Sequence, residues 1–253
     1  MITKARIKLI KSLEQRKKRN IHQLFVAEGP KLVEELLATM QPAYIAAIPE
    51  WWDRNRHLIK SACETDTITQ EELHKTSLLQ TPQQVIALFP IPQHKFNPDI
   101  ARQELCLALD GVQDPGNMGT ILRIADWFGI HNVICSEDTV DIYNPKAVQA
   151  TMGALARVKV HYTNLEETFR QNQTPVYGTL LDGKNIYEQE LGSHGFIVMG
   201  NEGKGLSPAI KNLVTQKLFI PNYPIGAKTT ESLNVAIATS IVCSEFRRRQ
   251  TTK

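Results

Sequence analysis

Three short segments hold the residues whose types and spacing could do chemistry. In DGVQDPGNMGTILR, residues 110–123, the amide of Asn117 precedes the guanidinium of Arg123 across the point where a strand gives way to a helix. The free N–H groups of a helix start favour an anion, and an arginine nearby can hold phosphate or a developing oxyanion. In VMGNEGKGLSP, residues 198–208, the carboxylate of Glu202 stands among Gly200, Gly203 and Gly205 at a strand end. In SLN, residues 232–234, a hydroxyl and an amide open the apolar stretch 235–246. Ser232 reads as the N-cap of that last helix, and Asn234 in its first turn needs a hydrogen-bond partner. Taken singly, each segment is also what an ordinary turn or cap requires. Asn117 falls near a helix cap, and Ser207 before Pro208 reads as a cap with proline at the first helical position.

The elements that must position these segments follow from hydrophobic spacing. Ile2, Ala5, Leu9, Ile10 and Leu13 recur at helical intervals, which predicts an amphipathic helix with its lysines outward. LFVA at 24–27, a helix from Pro30 to Thr39, AYIAAI, helices over 52–62 and 70–77, and VIALF make residues 1–95 a small α/β domain. The stretch 91–102, with Pro92 and Pro98 and no period, reads as a linker. Beyond it, strands at 105–110, 132–136, 157–162, 175–181, 196–200 and 217–221 alternate with helices at 117–128, 144–155, 164–172, 207–214 and 232–249. That alternation predicts a parallel sheet covered on both faces, with ligands bound beyond the carboxyl ends of its strands.

Composition and pattern exclude several classes. The chain has 253 residues, 42% hydrophobic and 22% charged, which is ordinary for a globular protein. No run approaches the roughly eighteen apolar residues of a membrane span, and the first residues lack a signal-peptide core. Cys63, Cys106, Cys135 and Cys243 lie far apart and read as reduced cytosolic thiols. The seven histidines have no metal-ligand spacing, and no metal is expected. GxGxxG is absent, and the phosphate-loop pattern fails at Leu206, where it needs lysine.

The net charge of +3 conceals an uneven distribution. Residues 1–19 carry Lys4, Arg6, Lys8, Lys11, Arg16, Lys17, Lys18 and Arg19 against Glu14 alone, a net of +7 that leaves −4 for the remainder. Arg247, Arg248, Arg249 and Lys253 form a second basic run at the other end. Both runs fit a polyanion partner, and both are equally what a solvated helix face or tail would carry.

Together the three segments resemble the signature motifs of the SpoU (TrmH) family of RNA ribose 2′-O-methyltransferases. The matches are NxGxxxR at residues 117–123, GNEGxGLS at 200–207, and IP at 220–221 followed by SLNVAxA at 232–238. The resemblance spans residues 104–250, and residues 1–95 resemble the small substrate-binding domain of many members. It implies a knotted (trefoil) parallel-sheet α/β methyltransferase domain, 104–253, preceded by a small α/β RNA-binding domain, 1–95. A knot could not have been derived, since chains as a rule do not thread.

The resemblance also implies S-adenosylmethionine as methyl donor, held by Gly200, Ile220 and Leu233 with Thr179 and Leu180, and a cytoplasmic homodimer. Asn117, Arg123, Glu202, Ser232 and Asn234 become the catalytic set. A guanidinium with a pKa above about 12 is a poor base, so Arg123 is expected to bind substrate phosphate and stabilise the developing alkoxide. Lys4, Lys8, Lys11, Arg16, Lys17, Lys18 and Arg19 are expected to grip the RNA. Ribosomal RNA is favoured, because members acting on transfer RNA often lack the first domain. A transfer-RNA methyltransferase and a noncatalytic RNA-binding or ribosome-assembly protein are the alternatives. The loop 221–231 is longer than the family pattern, and Lys228, Thr229 and Thr230 either extend toward RNA or simply bulge.

Overall fold

Two sheets of different construction organise the chain. The structure is a computed structural model and describes every residue except 61, 225, 226, 229, 231, 252 and 253. It divides into two units, Met1–Gln93 with Asp141–Arg157, and His94–Val140 with Val158–Lys253.

The first unit opens with α1 (Lys4–Ser12) and α2 (Arg16–His22), followed by β1 (Leu24–Glu28), α3 (Pro30–Leu37), β2 (Tyr44–Ala47), α4 (Pro49–Asn55), β3 (Glu64–Thr67), α5 (Gln70–Thr76) and β4 (Val85–Pro90). The strand order is β1-β4-β2-β3, with β4 antiparallel to both neighbours and β3 parallel to β2. Alternation along β4 serves two cores. Val85, Ala87 and Phe89 join Leu32, Val33, Leu36 and Trp51 on one face, while Ile86 and Leu88 join Ile10, Leu13 and Leu73 on the other. The spacing of Ile10 and Leu13 thus folds α1 as expected. Strand β3 was not expected. Its ETDT is polar and largely exposed, so it carries no hydrophobic period and pairs only as a sheet edge.

Residues 141–157, placed by the sequence with the later elements, pack in this first unit. Helix α7 (Pro145–Thr151) contributes Val148 to the core around Phe25 and Trp51, and the Tyr143 ring packs tilted against Phe25 with centroids 5.1 Å apart. Arg157 pairs with Glu35 at 2.9 Å. The deepest tie corrects an expectation. Arg19 is not an outward phosphate ligand: it is 1% exposed, and its guanidinium donates to Asp141 Oδ2 at 2.6 and 3.0 Å and to the carbonyls of Leu13 and Glu14. The kink between α1 and α2 leaves those carbonyls without helical partners, and the buried arginine satisfies them.

The second unit comprises β5 (Leu105–Asp110), α6 (Pro115–Trp127), β6 (Asn132–Cys135), β7 (Lys159–Tyr162), α8 (Leu165–Gln171), β8 (Val176–Asn185), β9 (Gly195–Gly200), α9 (Pro208–Lys211), β10 (Gln216–Phe219) and α10 (Val235–Thr251). All six strands run parallel in the order β10-β8-β9-β5-β6-β7. Phe169, Phe196, Val198 and Ile210 are among the residues that fill one core. Ile121, Leu122 and Ala125 of α6 and Val242 and Phe246 of α10 are buried where the two helices pack together.

The basic run at the end of α10 is also corrected. Arg247 donates to the carbonyls of Phe128 and Gly129 just past α6. Arg248 and Arg249 both pair with the buried carboxylate of Glu245, and Arg249 also reaches the carbonyl of Tyr187. These arginines close helix and loop ends rather than standing free for a polyanion. Lys253 lies outside the described residues.

Candidate active site

The site is built where β5, β8 and β9 end. Asp114 caps α6 by accepting from the N–H of Asn117 at 2.8 Å, and Pro115 takes the first helical position. Asn117 therefore sits one turn inside rather than at the cap, with its side chain turned to two partners. Its Nδ2 donates to Glu202 Oε1 at 3.0 Å, and its Oδ1 accepts from Asn234 Nδ2 at 2.9 Å.

Glu202 also accepts from the N–H groups of Gln113 at 3.1 Å and Asp114 at 3.2 Å. Burial works against its charge, but the Asn117 amide and the backbone N–H groups of Gln113, Glu202 itself and Asp114 outweigh it and hold the carboxyl below its ordinary value. Asn234 in turn accepts from the N–H groups of Ala236 and Ile237, which makes it the cap of α10. This corrects the expectation for Ser232. The helix starts three residues later than that serine, at Val235, and the amide that looked in need of a partner is itself the cap. One chain of hydrogen bonds, Glu202–Asn117–Asn234, thus joins all three sequence segments.

A cleft of about 590 Å³ opens beside this chain. Thr179, Leu180, Gly200, Ile220 and Leu233 all line it, together with Glu202 and Ser232. Two close approaches shape its walls. A Cβ at Gly200 would lie 2.3 Å from the carbonyl carbon of Gly205, so the turn after β9 can fold back only over a glycine. On β8 the pairing with β10 jumps from Gly178 opposite Lys217 to Lys184 opposite Leu218. The residues between leave the ladder, and a Cβ at Gly183 would strike the Leu218 backbone at 2.5 Å.

That bulge is what brings Thr179, Leu180, Leu181 and Asp182 into the cleft wall. The sequence pattern ends the strand at 181, although the Asp182-Gly183 pair that closes the run is a turn signal. Sequence reading missed Asp110. That carboxylate is 8% exposed and accepts from the N–H of Ser207 at 2.6 Å, tying the end of β5 to the start of α9. Ser207 is the cap residue of α9, but its side chain makes no capping bond.

Arg123 lies two turns into α6, exposed, outside the cleft lining and without a hydrogen-bond or ionic partner among the described residues. Of the loop residues, Thr229 lies outside the described set.

The lining fits a nucleoside-like ligand. The volume falls within the roughly 300–1,000 Å³ of small-molecule sites, and Leu180, Met199, Leu218 and Ile220 offer an apolar wall beside backbone polar groups.

The comparisons with known proteins agree with this architecture. Residues 104–244 match the model of the SpoU rRNA Methylase family, and residues 4–87 match that of the MRM3-like substrate binding domain. Over 250 residues the chain is 30% identical to the 23S rRNA (guanosine(2553)-2'-O)-methyltransferase RlmP of Bacillus subtilis, covering 96% of each. A structure from Porphyromonas gingivalis assigned to the TrmH family is 40% identical with a TM-score of 0.88, over 98% of this chain and 99% of that one. An AdoMet-bound rRNA methyltransferase from Sinorhizobium meliloti is 28% identical with a TM-score of 0.83, over 98% and 96%. With the family model covering more than half of the chain and a relative matched along nearly its whole length, the protein belongs to the SpoU rRNA methylase family.

Proposed function

We propose that the protein transfers a methyl group from S-adenosylmethionine to a ribose 2′-hydroxyl of ribosomal RNA. The observation that carries this reading is the Glu202–Asn117–Asn234 chain, which joins the three family motifs along one side of a cleft of suitable size. Thr179, Leu180, Gly200, Ile220 and Leu233 would hold the donor, which when bound supplies an activated methyl on a sulfonium. Arg123 stays protonated, so its part is to bind the phosphate of the target nucleotide and stabilise charge on the hydroxyl oxygen, whose proton would pass to solvent water as the methyl leaves the donor sulfur as its demethylated thioether. Asn117, Glu202 and Asn234 fix the loops around that oxygen, and Ser232 in the cleft wall faces the ribose. The full-length curated relative acts on 23S rRNA, which favours ribosomal over transfer RNA and a cytoplasmic reaction.

RNA is held by the first unit. Lys4, Lys8 and Lys11 project from one exposed face of α1, and Arg16, Lys17 and the half-buried Lys18 continue the track on α2. A homodimer and the C-terminal knot belong to the same reading. Trp127 is 86% exposed and Ile237 54%, on the outer faces of α6 and α10, an apolar surface suited to a second copy.

Calorimetric titration with S-adenosylmethionine and methyl transfer to 23S rRNA transcripts test the reading. Saturable donor binding and a 2′-O-methyl product are expected, and Arg123→Ala should keep donor binding while lowering kcat by about 100-fold or more. No binding at donor concentrations on the order of millimolar would overturn it.

A further inference from the structure

One cation in the site has no role in the reading above. Lys204 occupies the variable position of the GNEGxGLS motif, on the turn that follows β9, and it lines the cleft. Its backbone is held firmly. Asn201 and Gly205 exchange two backbone hydrogen bonds of 2.9 Å, and Asn201 Oδ1 accepts from the N–H groups of Gly203 and Lys204 at 3.0 Å each. The neighbouring carboxylate does not neutralise it, because Glu202 is turned inward onto Gln113, Asp114 and Asn117. Among the described residues the Lys204 ammonium has neither an ionic nor a hydrogen-bond partner.

The tip of the turn is also bare. A Cβ at Gly205 would meet nothing within 4 Å, and one at Gly203 only the Asn201 side chain at 3.8 Å. An exposed ammonium flanked by two residues without side chains can be approached by a large backbone. Arg123, in the helix α6 whose start Glu202 fastens to this turn through Asn117, is likewise exposed and has no partner among the described residues.

We propose that Lys204 binds an RNA phosphate next to the one held by Arg123, so that this turn and α6 grip the backbone on either side of the methylated nucleotide. This rests on the methyltransferase reading, but it can be broken separately. The cation would act by counterion release and charge attraction, adding affinity and register without touching the donor.

The test uses the full chain with a 23S rRNA transcript. Lys204→Ala should make the dependence of log binding constant on log salt shallower by about 0.7, the value for one single-stranded phosphate contact, which is about fourfold in affinity at 0.15 M salt. KM for RNA should rise severalfold more than kcat falls. Lys204→Arg should restore most of the loss, Lys204→Glu should deepen it, and S-adenosylmethionine affinity should be unchanged in all three. An unaltered salt slope in Lys204→Ala would overturn the proposal, and so would a loss confined to donor affinity, which would place the ammonium on the donor carboxylate. Failure of the wild-type protein to bind donor or transfer methyl would defeat the enzymatic reading alone, since the salt slope still decides whether Lys204 meets phosphate.

Discussion

The two basic runs, at opposite ends of the chain, look alike in composition and differ in use. On α1 and α2, Lys4, Lys8, Lys11, Arg16 and Lys17 are exposed. At the end of α10, Arg247 and Arg249 are bound to carbonyls and Arg248 and Arg249 to Glu245. The difference lies in what the fold puts within reach. Where a buried carboxylate and unsatisfied carbonyls are at hand, arginine with its five donors is drawn into the structure. Where the helix face looks only at solvent, lysines stay free. Arg19 shows the rule inside the first run, because it alone meets Asp141.

The contrast can be broken or sharpened by substitution. The largest effect is expected at the buried pair. Arg19→Ala leaves Asp141 without its partner and should cost about 3–5 kcal/mol in urea or thermal unfolding. The adjacent Lys17→Ala should stay within about 0.5 kcal/mol.

Second, replacing Lys4, Lys8 and Lys11 together by alanine should leave stability nearly unchanged. It should flatten the salt dependence of RNA binding by about 2 and weaken binding about fiftyfold at 0.15 M salt. If RNA affinity held, the first run would be a solvated face and no more.

Third, Arg247→Ala frees two carbonyls at the end of α6 and should cost about 1–2 kcal/mol with no change in salt slope. A changed slope would mean that the second run also meets RNA.

The smallest effect is a titration. Hydrogen bonds from Arg248, with Arg249 behind, hold the Glu245 carboxyl below its ordinary 4.5 despite burial. A carboxyl depressed in the folded state stabilises above its unfolded pKa, and that stability is lost as pH falls through the folded one. Unfolding midpoints should therefore drop more steeply below about pH 4.5 in the wild type than in Glu245→Gln, which removes the titrating group.

Much of the second unit was legible in the sequence because parallel strands buried on both faces announce themselves as apolar runs. The three motifs were legible as spacing, and the side chains of Asn117, Glu202 and Asn234 do converge. What remained hidden depends on partners distant in sequence. The bulge at 179–183 exists because β10 pairs on both sides of it, and the amide of Asn234, which caps α10 in place of Ser232, has its other partner 117 positions away in Asn117. Strand β3 is polar and edge-bound, so no hydrophobic period could mark it. Charge counting failed for Arg19 and the α10 arginines for one reason: it records how many cations a segment has, not how many the fold leaves unpaired.

The segment 141–157 sets a timetable for synthesis. Arg19 and Asp141 are 122 positions apart, with α7 packed just after. At roughly 5–20 residues per second, the emerging first unit waits about 6–24 s for its counterion and for Val148 to fill its core. Through that interval the arginine is without the carboxylate it needs, and the apolar face around Phe25 and Trp51 lacks its cover. The first unit therefore cannot finish folding until residue 157 has emerged, well after its own amino-terminal segment has left the ribosome.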